Sequence, residues 1–160
     1  MNIFRELGIE GGKDRVNEEV VYSIARAYAS IENKIARILA PYGIGTAKFN
    51  ILLMVKHVGK GKGLPQNHVS NLLLVTTSNI TRMIDKLEED GYVERSAQSN
   101  DRRVNLINIT RKGSNLLDTM WPKYIETVDS IIGLRLSNIE KRTIVKLTEK
   151  LFPYKDAREK

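Results

Sequence analysis

Residues 64–113 read LPQNHVSNLLLVTTSNITRMIDKLEEDGYVERSAQSNDRRVNLINITRKG, and the reading of this stretch decides the fold. Ile80, Ile84 and Leu87 recur at helical spacing with Met83 at their edge, while Ser78, Arg82, Asp85 and Glu89 fall on the opposite face. A helix is therefore expected over about 77–90, with Thr76 as its N-cap and Gly91 as its stop. Upstream, Pro65 suits the first turn of a shorter helix that faces Val69, Leu72 and Leu73 inward, and Val75-Thr76-Thr77 reads as the turn between the two. Downstream, Tyr92 to Ser96 begin a strand, Ala97 to Arg102 are rich in turn formers, and Arg103 to Ile109 return as a second strand. The order is helix, turn, helix, hairpin with a basic tip.

The outward face of the 77–90 helix is electrically divided. Thr77, Ser78, Asn79, Thr81 and Arg82 occupy its start, whereas Asp85, Glu88, Glu89 and Asp90 crowd its end. The start can approach phosphates and base edges with the help of its free N–H groups, and the acidic end should point away from a polyanion. Those acids oppose the helix macrodipole, and Arg95 is a candidate to offset them. An isolated helix of this kind would more often be an ordinary amphipathic helix with a solvated face; the neighbouring helix and hairpin tip the reading towards a groove reader. Arg102 and Arg103 beside a Ser-Asn-Asp turn suit a minor groove, and the Asp101 carboxylate can aim the Arg103 guanidinium. The plainer alternative is that Asp101 only shapes the turn.

The candidate DNA-contacting residues are thus Thr77, Ser78, Asn79, Thr81, Arg82, Lys86, Arg102 and Arg103, with Asp101 bracing a wing over about 96–104. Arg82 and Asn79 suit base edges, and Ser78 and Thr81 suit phosphates. Charge placement carries this reading, since eight basic against six acidic residues leave 61–113 only two positive charges in excess.

Around this segment helices dominate. Val20, Ile24, Tyr28, Ile31, Ile35 and Ile38 mark a long first helix that follows Gly11-Gly12 and ends near Pro41 and Gly43. Thr46 can cap a second helix through about His57, and Gly59-Lys60-Gly61-Lys62-Gly63 reads as a flexible loop without P-loop spacing. Thr110 suits the cap of a fifth helix carrying Leu116, Leu117, Met120, Tyr124, Val128 and Ile131, with a kink or break expected at Pro122. Ser137 to Glu140 form a capping box for a last helix striped by Ile144, Leu147 and Leu151. The terminal helices carry more apolar surface than one small lobe covers, which favours a symmetric homodimer over intrachain packing alone.

The chain of 160 residues fits one domain, and its net charge of +7 favours an anionic partner without naming one. With no cysteine there is no disulfide, thiolate nucleophile or thiol switch. The start MNIFRELGIEGGKDR has no continuous apolar stretch and no later segment approaches the length of a membrane span, so a cytoplasmic location with no membrane partner is expected. The Asn79-Ile80-Thr81 and Asn108-Ile109-Thr110 triplets match glycosylation sites by composition alone.

Taken together, Leu74-Val75, Ser78-Asn79-Ile80-Thr81-Arg82, Asp85-Lys86-Leu87-Glu88, Gly91-Tyr92-Val93-Glu94-Arg95, Asp101-Arg102-Arg103 and Ile109-Thr110-Arg111-Lys112-Gly113 resemble the MarR family of winged-helix transcriptional regulators. The resemblance covers about a third of the chain. It implies a homodimer in which the first helix and the last two interlock, and two winged lobes reading a near-palindromic double-stranded operator. It implies that Arg103 enters the minor groove with Asp101 as its brace. It further implies a repressor of the kind released, in many members, by a small aromatic or acidic effector held between the dimerisation helices and the lobe.

The resulting expectation is a mainly α chain with a small β-hairpin wing. Residues 46–113 would form the winged helix-turn-helix DNA-binding lobe, and 14–42 and 114–154 the dimerisation helices. The alternatives are a winged-helix protein-interaction module or a metal-responsive regulator. His57 and His68 are the only histidines and lie on different helices without triad or metal-ligand spacing, so no catalytic, cofactor or metal residue is assigned and an enzyme is not expected. Tyr28, Tyr42, Trp121 and Tyr124 could line a ligand cavity, but aromatic residues at helical spacing read first as core.

Overall fold

The computed structural model describes residues 15–73, 77–98 and 101–153, of which 72, 77, 78, 98 and 101–104 are described through their backbone. The cap at Thr76, the turn residues 74–76 and the Gly11-Gly12 break lie outside the described residues.

Helix α1 spans Val16–Leu39, with Glu18 and Glu19 in its first turn and Arg37 in its last, each favourable to the macrodipole. It tightens into a 3₁₀ turn at Ala40–Tyr42 that contains Pro41, and Gly43 closes the turn in the left-handed region at φ +66°. Helix α2, Thr46–His57, supplies the fully or nearly fully buried Phe49, Ile51, Leu52 and Val55. Thr46 is its first helical residue and Gly45 takes the cap position. The expected Thr46 cap is replaced by a tertiary bond, because its hydroxyl donates to Glu32 Oε1 at 2.7 Å and so ties α2 to α1.

Leu64–Pro65 form strand β1, followed by α3 (Gln66–Leu73), α4 (Thr77–Glu89), β2 (Val93–Gln98) and β3 (Asp101–Ile109). The sheet is antiparallel in the order β1-β3-β2. Pro65 is therefore not in the first turn of α3: it pairs opposite Leu106 at the sheet edge, where a missing N–H costs no ladder bond. A strand of two residues leaves no periodicity to read. Ile80, Ile84 and Leu87 are fully buried and join Val69, Val93, Ile107, Leu117 and Met120 in one core. Removing side chains of this size from water contributes about 1.5–3 kcal/mol each.

Helix α5, Arg111–Val128, is capped by Thr110, whose hydroxyl accepts from the Gly113 N–H at 3.1 Å. The same hydroxyl lies 2.8 Å from the Gly91 carbonyl, to which it donates, and the Thr110 N–H donates to the Tyr92 carbonyl at 3.1 Å. The end of α4 is thereby knotted to the start of α5. The helix passes through Pro122 without the expected break; the irregularity lies farther on, where Asp129–Gly133 are π-helical. Helix α6, Asn138–Leu151, opens on the expected capping box of Ser137 and Glu140, and its hydrogen bonds hold the Glu140 carboxyl below its ordinary pKa.

None of the residues of α6 is buried. Among the described residues no single helix is long and apolar enough to cross a membrane. The Val16–Tyr42 and Thr46–His57 segments reach that composition only together, and they meet at a bend of 83°.

Candidate nucleic-acid interface

The apolar face of α4 locks it against the core, which leaves its polar face to solvent. Asn79 and Arg82 are exposed there, and no ion-pair partner of Arg82 is present among the described residues. Thr81 is half-buried and its hydroxyl accepts a hydrogen bond from Gln66 Nε2 at 2.7 Å. Thr77 and Ser78 open the same helix, described through their backbone. Of the acid-free start expected for this helix, Asn79 and Arg82 thus stand at its solvent face.

Each acid of the far end has a basic partner. Arg95 on β2 forks between Asp85 and Glu88, and its backbone N–H donates to Glu88 Oε1 at 3.0 Å. Glu89 accepts from Lys86 at 2.7 Å, and Asp90 faces Lys48 of α2 at 3.3 Å. Lys112 adds a cation to the helix C-terminus, donating to the Asp90 carbonyl at 2.7 Å while lying 4.9 Å from the centre of the Tyr92 ring. Arg95 is the compensating partner considered for these acids, and it is joined by three lysines.

Lys86 is exposed, but its ammonium is engaged: the hydrogen bond and charge of Glu89 raise its pKa above the ordinary value. A phosphate at Lys86 would have to replace a carboxylate already there. The pair is an exposed i,i+3 contact that water screens, so the exchange is cheap.

The hairpin is longer and tighter than expected. Ala97 and Gln98 belong to β2, and Asp101 and Arg102 to β3, which narrows the connection to residues 99–100, outside the described residues. Ala97 pairs with Asn105 and Gln98 with Asp101, so the register shifts there and residues 102–104 have no register partner. The sequence singled out Arg102 and Arg103 for charge, and the backbone departs from the ladder at those positions. The side chains of Asp101, Arg102 and Arg103, and with them the expected brace, lie outside the described residues.

Away from this face, Lys56 pairs with Asp118 at 2.6 Å and a run of rings crosses from α2 to α5. Phe49 and Tyr124 lie 5.1 Å apart, Tyr124 and Trp121 5.4 Å, and Trp121 and His57 6.0 Å between centroids. Tyr42 and Tyr124 pack on the core as expected, whereas Tyr28 and Trp121 are exposed in the single chain. His68 lies on α3, and among the described residues no three His, Asp or Glu side chains gather as a metal-ligand set.

A model of the MarR family matches residues 42–104 of this chain. The chain is also 30% identical over 111 residues to the HTH-type transcriptional regulator MhqR of Bacillus subtilis, covering 69% of this chain and 74% of that relative. The chain belongs to the MarR family. Among solved structures it is similar to Sco3205 of Streptomyces coelicolor, a MarR-family regulator in complex with DNA, with 20% identity, a TM-score of 0.76, and coverage of 90% of this chain and 93% of that one. CouR of Rhodococcus jostii RHA1, bound to p-coumaroyl-CoA, is similar at 20% identity and a TM-score of 0.76, over 90% of this chain and 99% of that one. At this identity the two structures speak for the fold.

Gln66 was not among the residues singled out from the sequence, and no motif marks it. A polar residue at the start of the helix preceding the turn was the available signal, and it was too common to use.

Proposed function

We propose that the chain is a MarR-family transcription regulator that binds double-stranded DNA as a homodimer, with the start of α4 in the major groove and the wing over about 96–104 at the minor groove. The observation that carries this reading is the division of α4: an exposed start with Asn79 and Arg82, and an end whose four acids are each held by a cation. A phosphate backbone laid along this helix meets an acid-free start, and at the far end carboxylates that each have a basic partner. The proposed contacts are Thr77, Ser78, Asn79, Thr81, Arg82, Lys86, Arg102 and Arg103, with Asp101 as brace.

In this reading residues 46–113 are the DNA-binding lobe, and 14–42 and 114–154 pair two lobes. Support comes from the apolar surface that one chain leaves bare: Tyr28 is 69% exposed, Ile139 79% and Leu134 91%, with Ile144, Leu147 and Leu151 exposed along α6. Symmetric association would cover this surface and set two recognition helices about 34–36 Å apart on a near-palindromic operator. Repression and release by a small ligand are the finer part of the proposal; the DNA complex of Sco3205 and the p-coumaroyl-CoA complex of CouR lend it support.

Selection of bound duplexes from a random pool tests the reading. The expected result is a near-palindromic consensus whose affinity falls steeply with salt, followed by release from that site with at least one compound from a screen of small aromatic and acidic molecules. Absence of any sequence preference would favour a protein-interaction module and sink the proposal.

A further inference from the structure

We infer that Gln66 is a specificity-determining residue that acts through Thr81, an inference that rests on the DNA-binding reading of α4. Gln66 opens α3 and is half-buried, and its amide donates to the Thr81 hydroxyl at 2.7 Å across the helix-turn-helix. Gln66 is itself anchored: the hydroxyl of Ser70, a residue only 5% exposed, donates to its backbone carbonyl at 3.3 Å.

Threonine carries its hydroxyl and its methyl on one Cβ, so holding the hydroxyl in one direction also holds the methyl in another. Thr81 stands between the exposed Asn79 and Arg82 on the turn that reads DNA in the proposed complex. A base edge brought to this turn discriminates between a methyl and a hydroxyl, because only thymine offers a methyl in the major groove while every base pair offers polar atoms. Gln66 thereby biases the preferred base pair without touching it. It is a positioning residue, and the pair Gln66–Thr81 is its means.

The full-length protein and the variants Gln66→Met, Thr81→Val and the double variant are put through selection from a random DNA pool. Their affinities for the selected site and its single-base-pair changes are then measured. Gln66→Met keeps the side-chain length without a donor, and Thr81→Val keeps the shape without the hydroxyl. Gln66→Met is expected to reduce discrimination about threefold to tenfold at the base pairs facing this turn, the scale of one hydrogen bond. Thr81→Val is expected to alter the same base pairs, the double variant to lose no more discrimination than the larger single loss, and in Gln66→Met the affinity for random DNA and its salt dependence to stay unchanged.

A wild-type preference profile in Gln66→Met, or losses that multiply in the double variant, would overturn the inference. Gln66→Ala carries the same expectation should the methionine variant fold poorly. If the unaltered protein selects no sequence, the DNA-binding reading itself fails, and that is visible before any variant is compared.

Discussion

Arg95 meets Glu88 twice, donating from its backbone N–H to Oε1 at 3.0 Å and from its guanidinium to Oε2, while the other arm of the guanidinium reaches Asp85. The first strand of the hairpin is thus bolted to the last turns of α4. The bolt also sets one positive charge between two of the four carboxylates at that end. Position and electrostatics are served by one side chain.

Arg95→Ala should accordingly destabilise the fold by about 1–2 kcal/mol, since the bonds are charge-assisted but both acids remain partly in water. Urea unfolding measures this. DNA affinity should fall further than stability alone explains, because Asp85 and Glu88 are then uncompensated; adding Asp85→Asn and Glu88→Gln should recover part of it. An unaltered unfolding midpoint would show that the bolt is ornamental.

Gly113 permits the close approach of α5 to the end of α4. A Cβ there would lie 2.2 Å from the Tyr92 carbonyl oxygen, a backbone atom held by Thr110 and unable to swing aside. Gly113→Ala should therefore cost at least about 1–3 kcal/mol, the range for overpacking a tight site. Thermal unfolding gives the answer, with Gly61→Ala as the contrast: its Cβ would meet nothing within 4 Å, and its cost would come from a φ of +75°.

The proposed dimer makes a demand on α6. Leu147 is 53% exposed in the single chain, so Leu147→Glu should leave the lobe folded while shifting the protein towards monomer in sedimentation at micromolar concentration. Operator affinity should fall with it, because two lobes joined at fixed spacing bind far better than one. A Leu147→Glu protein that sediments as a dimer would move the interface elsewhere.

The elements that were legible in the sequence are those whose pattern is local and repeated. The face of α4 follows from Ile80, Ile84 and Leu87, the box of Ser137 and Glu140 from a four-residue motif, and Gly43 and Gly91 end their segments at positive φ. What was not legible depends on distant partners. Pro65 is a strand residue because Leu106 lies beside it, and Thr46 gives up its capping role because Glu32 comes within reach from another helix. The Gln66–Thr81 bond belongs to the same class: fifteen residues separate the pair, and neither residue type announces the other. At Pro122 the helix runs on without a break for a different reason. A proline in a helix removes one hydrogen bond and crowds one carbonyl, but α5 is anchored on both sides of it, by Leu117 and Met120 in the core and by Tyr124 against Phe49.

Arg103 is the most exacting test of the wing. Its backbone lies between Asp101 and Asn105, where the register of the hairpin shifts. A guanidinium delivered from there can enter a minor groove, where one cation displaces condensed counterions and gains from the groove's negative potential. Arg103→Ala should weaken operator binding about tenfold or more, and lower the slope of log affinity against log salt by about one. Sedimentation should be unchanged, because the wing belongs to the sheet and the apolar surface proposed for pairing lies on the terminal helices. Arg103→Lys separates charge from shape: it keeps the cation, so the salt slope should return while the preference for a narrow groove does not. Wild-type affinity in Arg103→Ala would remove the wing from the interface and leave α4 to read the operator alone.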